Sequence, residues 1–281
     1  PRLVTLILER MHSLYGWQVE ADWLLFMPGV VPGLNFACKA WCRPESSIIS
    51  PTPVYYPFLN APGYNERRIS HLPMQLVADR WLPDFERLEQ LAVDADLLLL
   101  CNPHNPGGTV FTRAELERIA DIAERHEVTV CSDEIHCDLT HIGHAYISLA
   151  SISEEIADRT ISCIAPTKTF NIAGLQTAAI VIPNPEIRKQ VDRGINTDEV
   201  AEPNTFAIQA AEAAFDEGEE WLEELREYLE QNRQFLIASL KELVPEIQVI
   251  EAEATYLAWI DCAAITEDTN QLCAYIRAKT G

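Results

Sequence analysis

The chain has 281 residues, of which 48% are hydrophobic, 23% charged and 8% aromatic. That usage is ordinary for a globular protein and excludes disorder, collagen and coiled coil. Acidic residues outnumber basic ones 43 to 21, and a net charge of -22 excludes a nucleic-acid partner, because phosphate backbones require clustered Lys and Arg.

The charge is spread over predicted helices and reads as a solubility feature. The longest apolar runs, such as 97–101 and 178–182, are too short to span a bilayer, so no membrane partner is expected. No signal peptide is visible, and residue 1 is Pro rather than Met, so the native start is read as missing. The eight cysteines form no Cys-x-x-Cys pair. Several lie in apolar runs, where free Cys behaves as a small hydrophobe. This is the usage of reduced thiols and predicts a cytoplasmic protein.

Taken in chain order, the first signal is a Pro-Gly-Val-Val-Pro-Gly segment at 28–33 ahead of an apolar helix near 34–41. Cys38 and Cys42 lie four apart on that helix and are expected to face the core. Short apolar runs at 47–50, 97–101, 128–132, 160–165 and 178–182 read as strands buried on both faces, as in a parallel sheet with helices above and below. Thr112 and Glu115 form a capping box, and Leu116, Ile119, Ala120 and Ala123 make one helical stripe. A second helix is predicted at 204–215. A long amphipathic helix with a Glu-rich outer face follows, marked by Leu222, Leu225, Leu229, Leu236, Leu240 and Leu243. Strands near 247–250 and 256–261 and a helix from Asp268 complete the pattern. Alternation of strand and helix predicts a doubly wound, mostly parallel α/β domain over 1–225. Residues 226–281 are expected to form part of a smaller, incomplete α+β domain.

Ligands of open parallel sheets bind beyond the carboxyl ends of the strands. Tyr55 and Tyr56 follow the strand at 47–50, and Asn102, His104 and Asn105 follow 97–101. Asp133, Glu134 and His136 follow 128–132, and Thr167 and Lys168 follow 160–165. An aromatic ring, an amide, a carboxylate and an amine thus converge on one edge, which marks a site.

The motifs CNPHNPGG, SDEIHCDL and APTKTFNIAGLQ, in this order and spacing, resemble fold-type-I pyridoxal-phosphate enzymes of the class I/II aminotransferase family. SDEIH together with KTFNIAGLQ resembles the MalY/PatB branch of cystathionine β-lyases and related C–S lyases. The resemblance runs over essentially the whole chain.

It implies pyridoxal 5′-phosphate as cofactor, bound covalently by Lys168, which would later take the substrate's Cα proton. An amine at the edge of an apolar sheet loses hydration, which frees its lone pair. The plain alternative is a loop lysine in a surface ion pair. Asp133 would pair with the pyridine nitrogen and keep it protonated, the alternative being a helix cap. Asn105 would donate to the ring oxygen, and it suits a turn equally well. His136 stands where many aminotransferases have Tyr, and the lyase branch has His; a structural histidine is the alternative. Tyr55 would stack on the ring, with Tyr56 as runner-up and core packing as the bland option. Amides of Val30 and Val31 at a helix start, with the Thr167 hydroxyl, would hold the phosphate. Asn102 and His104 are read as turn formers and Glu134 as structural.

Gln176 replaces the Arg that many members use to neutralise phosphate, and Ala165 replaces a Ser; both are read as branch features. The family's N-terminal arm and its substrate-gripping Arg have no counterpart, since Arg67, Arg68 and Arg277 lie outside the motif. No metal is expected, because His136, Cys137, His141 and His144 match no zinc signature. The implied activity is a β-lyase on cystathionine or another S-substituted cysteine, working as a homodimer. An aminotransferase using the same residues and a truncated homologue with a partner-binding role remain open.

Overall fold

The computed structural model describes residues 2–281. Ten strands are present in chain order: β1 Leu24–Met27, β2 Ser47–Thr52, β3 Arg68–Val77, β4 Arg80–Pro83, β5 Ala95–Cys101, β6 Thr129–Asp133, β7 Thr160–Ile164, β8 Ala178–Val181, β9 Gln248–Ile250 and β10 Trp259–Asp261. The helices are α1 Arg2–Tyr15, α2 Val30–Phe36, α3 Pro57–Tyr64, α4 Phe85–Ala92, α5 Arg113–Arg125, α6 Glu154–Ala157, α7 Pro166–Thr169, α8 Pro185–Thr197, α9 Ala207–Glu217, α10 Glu219–Leu243 and α11 Thr269–Thr280.

Eight strands form one sheet in the order β1-β8-β7-β6-β5-β2-β3-β4. Strands β3, β2, β5, β6 and β7 run parallel. The mostly parallel α/β fold expected from the apolar runs is therefore present. One strand departs from the reading: β8 is antiparallel to both β7 and β1. It is buried like its neighbours, and burial alone carries no direction. The two reversals return β1 to the direction of β7, so both strands end on the same edge.

The sheet is covered on both faces. Leu97 and Leu99 of β5 pack with Leu34 of α2 and Val191 and Ile195 of α8. Leu98 and Leu100 of the same strand pack with Leu88 of α4 and Leu116 and Ile119 of α5. Alternate residues of one strand thus serve opposite layers, which is why the whole run is apolar. A third cluster packs Leu3, Ile7 and Met11 of α1 against Val181 of β8 and Ala211 of α9.

Local chemistry sets the helix ends. Thr112 and Glu115 exchange the two bonds of the capping box at the start of α5. Asn184 caps α8 ahead of Pro185. The apolar helix expected near 34–41 starts earlier, at Val30, and continues as a π-helical turn over Ala37–Trp41. Helix α9 starts at Ala207, because the Asn204 side chain accepts from the Phe206 amide and holds a turn there. Cys38 and Cys42 are buried as expected. Leu225, the anticipated domain boundary, lies within the continuous helix α10.

The C-terminal segment is stitched onto the sheet edge. The Gly108 carbonyl accepts from the Glu253 and Ala254 amides at 3.0 and 2.9 Å. The Glu253 carboxylate accepts from Arg80 Nε and from the Val110 amide, each at 2.8 Å. Gly108 has a φ of +74°, and a Cβ there would meet the Ala252 Cβ at 2.4 Å, so only glycine fits. Among the described residues no helix is long and apolar enough to cross a membrane.

Candidate active site

Register explains how distant residues meet. Cys101 of β5 is level with Asp133 of β6, and Asp133 is level with Cys163 of β7. The turns after β2, β5, β6 and β7 therefore open side by side, carrying Tyr55, Asn105, Asp133 to His136, and Lys168. The Tyr55 amide donates to the Asn105 carbonyl at 2.9 Å, which fixes the first two turns together. Val30 and Val31 open α2 on the same edge, with first-turn amides that have no acceptor inside the helix.

Asp133 is buried, and its side chain accepts from the Ile135 amide at 3.0 Å. Burial pushes this carboxyl up to about 7; the Ile135 amide and Lys168 oppose the rise, and Glu134 adds to it. His136 is also buried, and both ring nitrogens lack a partner. Burial, then the charge of Lys168, pushes its imidazole down to about 4. Tyr55 is half-buried, and burial, Tyr56 and Asp133 together raise its hydroxyl pKa. Lys168 is half-buried on α7 and lines an open cleft with Thr167, Asn171, Trp221, Leu225 and Tyr256. Lys168 thus lies within electrostatic reach of Asp133 and His136, and Asp133 within reach of Tyr55.

The residues read as structural are built as such. Asn102 donates to the Ile147 carbonyl and accepts from the Phe111 amide, closing the turn after β5. His104 bonds the Pro53 carbonyl at 3.0 Å. Glu134 is fully buried and accepts from Ser148 and Ser162, each at 3.0 Å. Tyr56 is 65% exposed, and its ring stands edge on to that of Tyr55 with 4.9 Å between centroids. Gln176 is exposed in a left-handed conformation at φ +54°.

Sequence reasoning missed two parts of the site. Tyr256 sets its ring against His136, edge on, with 5.7 Å between centroids. Residues 256–258, read as strand, are irregular, because β10 begins only at Trp259. The second part lies beneath Lys168. Asp138 accepts from Arg10 Nη2 at 2.8 Å, from Tyr15 and from Thr169, so α1 braces the lysine turn. The Arg and the Asp are separated by 128 positions, and no periodicity links them.

An amine, a buried carboxylic acid, a neutral imidazole and an aromatic ring at the carboxyl edge of a doubly wound sheet define a site for chemistry on a small polar molecule. The chain belongs to the aminotransferase class I and II family, which matches residues 1–281. It is 39% identical over 256 residues to cystathionine beta-lyase PatB of Bacillus subtilis (strain 168), covering 90% of this chain and 66% of that protein. It is 30% identical over 257 residues to protein MalY of Escherichia coli (strain K12), covering 90% of this chain and 65% of that protein. Among solved structures, cystalysin from Treponema denticola, which contains a pyridoxal 5′-phosphate cofactor, superposes with a TM-score of 0.95. The identity is 33%, and the match covers 98% of this chain and 70% of cystalysin. The chain spans about two thirds of the length of the curated relatives it matches.

Proposed function

We propose that this chain is the cofactor-binding part of a pyridoxal-phosphate-dependent carbon–sulfur lyase. Its substrate would be cystathionine or another S-substituted cysteine, which with one water gives thiol, pyruvate and ammonia. The observation that carries the reading is the buried Asp133 carboxyl within the field of Lys168, beside an imidazole with no partner on either nitrogen. Burying an imidazole with neither nitrogen bonded, and a carboxyl held by one backbone amide, is costly, so their arrangement supports a polar ligand that completes them.

The residues present fit pyridoxal 5′-phosphate. When bound, that group supplies an aldehyde that joins amines and a ring that withdraws electrons from the adjacent carbon. Lys168 would hold the aldehyde through Nζ, and its amine, once displaced by the substrate's, would take the Cα proton. Removing that proton lets sulfur depart from Cβ. Asp133 would stand opposite the ring nitrogen, where a cation makes its buried charge favourable. Asn105 and the neutral His136 would donate to the ring oxygen, and Tyr55 would cover one ring face. The amides of Val30 and Val31 and the Thr167 hydroxyl would receive the phosphate.

Support for the lyase over the transaminase comes from the names of the relatives above. A homodimer in the cytoplasm goes with the same reading, as does a division into a cofactor domain over 1–225 and part of a second domain after it. The test is a visible absorbance spectrum of the chain mixed with pyridoxal phosphate, before and after borohydride. A band fixed to the protein, and lost in Lys168→Ala, is expected; its absence in the unaltered chain would reject the reading. Thiol and pyruvate release without an added keto acid separates lyase from aminotransferase. A biological effect that survives Lys168→Ala would point to the partner-binding alternative.

A further inference from the structure

Thr255 is the one β-branched residue among the described non-glycine residues with positive φ, at +76°, and it is fully buried. A β-branched side chain in that region is strained, and such strain persists only where surrounding bonds hold it. Here they do. The Thr255 amide donates to the Leu139 carbonyl at 2.8 Å, and the His141 amide donates to the Glu253 carbonyl at 2.8 Å. Thr140 and Ala254 form an isolated bridge between them. The Thr255 hydroxyl then accepts from the Leu257 amide at 3.1 Å. The strained turn is therefore fastened to the three residues that begin three positions beyond His136, and the residue it presents next is Tyr256.

Tyr256 lines the cleft that holds Lys168, and its ring stands edge on to the His136 imidazole. No hydrogen bond orients that imidazole. We propose that Tyr256 is a positioning residue of the site, whose ring, held by the Thr255 turn, fixes the His136 imidazole and shields it from water on the cleft side. An aromatic edge-to-face contact sets ring orientation without a polar partner. It leaves both imidazole nitrogens free for a ligand, which a hydrogen-bonding neighbour would not. The inference deepens the proposed function and rests on it only for what His136 finally contacts.

The test reads the histidine directly, without cofactor or substrate, by NMR titration of the His136 ring in the full chain. The charged group that acts on His136 is Lys168 on α7, and it is not altered. The unaltered chain and Tyr256→Phe should both titrate near 4, as burial dictates. Tyr256→Ala admits water and should raise the midpoint by about one unit or more toward its ordinary value. Tyr256→Leu keeps apolar bulk without the aromatic edge. It should broaden the ring signals into several orientations, and it carries the test if the Ala variant does not fold. An unchanged midpoint in Tyr256→Ala, or unchanged ring signals in Tyr256→Leu, overturns the proposal. A failed borohydride test with a shifted His136 would overturn the cofactor reading and leave this one standing.

Discussion

Thr169 donates its hydroxyl hydrogen to Asp138 Oδ2 over 3.1 Å, which binds the residue after Lys168 to the turn that follows His136. The other carboxylate oxygen serves Arg10 and Tyr15. The Arg10 and Asp138 side chains are only 11% and 5% exposed, so this pair is desolvated. Removing one partner of such a pair leaves the other charge uncompensated. Asp138→Asn keeps the shape and should cost about 3 kcal/mol of stability in urea unfolding. A loss within error of zero would mean that Arg10 finds water or Glu219 instead.

The cofactor-free chain should show a pH dependence that belongs to Asp133. Its carboxyl titrates at about 7 when folded and at the ordinary 3.8 when unfolded. Its stabilising contribution is fully present below 3.8 and is lost as pH rises through 7, because the unfolded chain ionises first. His104 and His136, both pushed down to about 4 by burial, act in the opposite sense and lose theirs as pH falls. The difference between the unaltered chain and Asp133→Asn isolates the aspartate. Between pH 4 and 7 that difference should move against the unaltered chain by about 2–4 kcal/mol, read by denaturant titration. A flat difference would contradict the buried, lightly bonded carboxyl.

Glu134 offers a contrast between adjacent carboxylates. It accepts from two serine hydroxyls and points away from the cleft, although burial still raises its pKa. Glu134→Ala strands Ser148 and Ser162 and should cost about 2 kcal/mol. Glu134→Gln retains an acceptor and should cost less. Both should retain the band that borohydride fixes, whereas Asp133→Ala should not.

Gly108→Ala meets two obstacles, a left-handed backbone and a contact of 2.4 Å with Ala252. About 2 kcal/mol or more of destabilisation is expected, with faster hydrogen exchange at the Glu253 and Ala254 amides. Gly174→Ala, where nothing lies within 4 Å, is the control and should be neutral. Equal effects at the two glycines would show that the stitch contributes nothing.

Much of this molecule is legible in its residues, for identifiable reasons. Runs such as 97–101 are apolar because both layers claim alternate side chains, so β5 to β8 announce themselves. Thr112 and Glu115 declare the start of α5 by a local bond pair. Strand β3 is different: Arg68, His71 and Gln75 are exposed and interrupt its apolar residues, so it carries no continuous apolar signal and goes unread. The direction of β8 is set by its neighbours and leaves no local trace. In the site, Lys168, Asp133 and Asn105 sit in recognisable motifs at strand ends. Tyr256 and Asp138 owe their places to contacts across long separations, with Thr255 supplying a conformation that its β-branched identity argues against.

The outermost strands of the sheet, β1 and β4, are four residues long each. Strand β4 begins with a charged Arg80 and closes on Pro83, which has no amide hydrogen to offer. Where β4 caps the last four residues of β3, it therefore gives a foreign chain little ladder to extend, which discourages fibril-like growth at that rim.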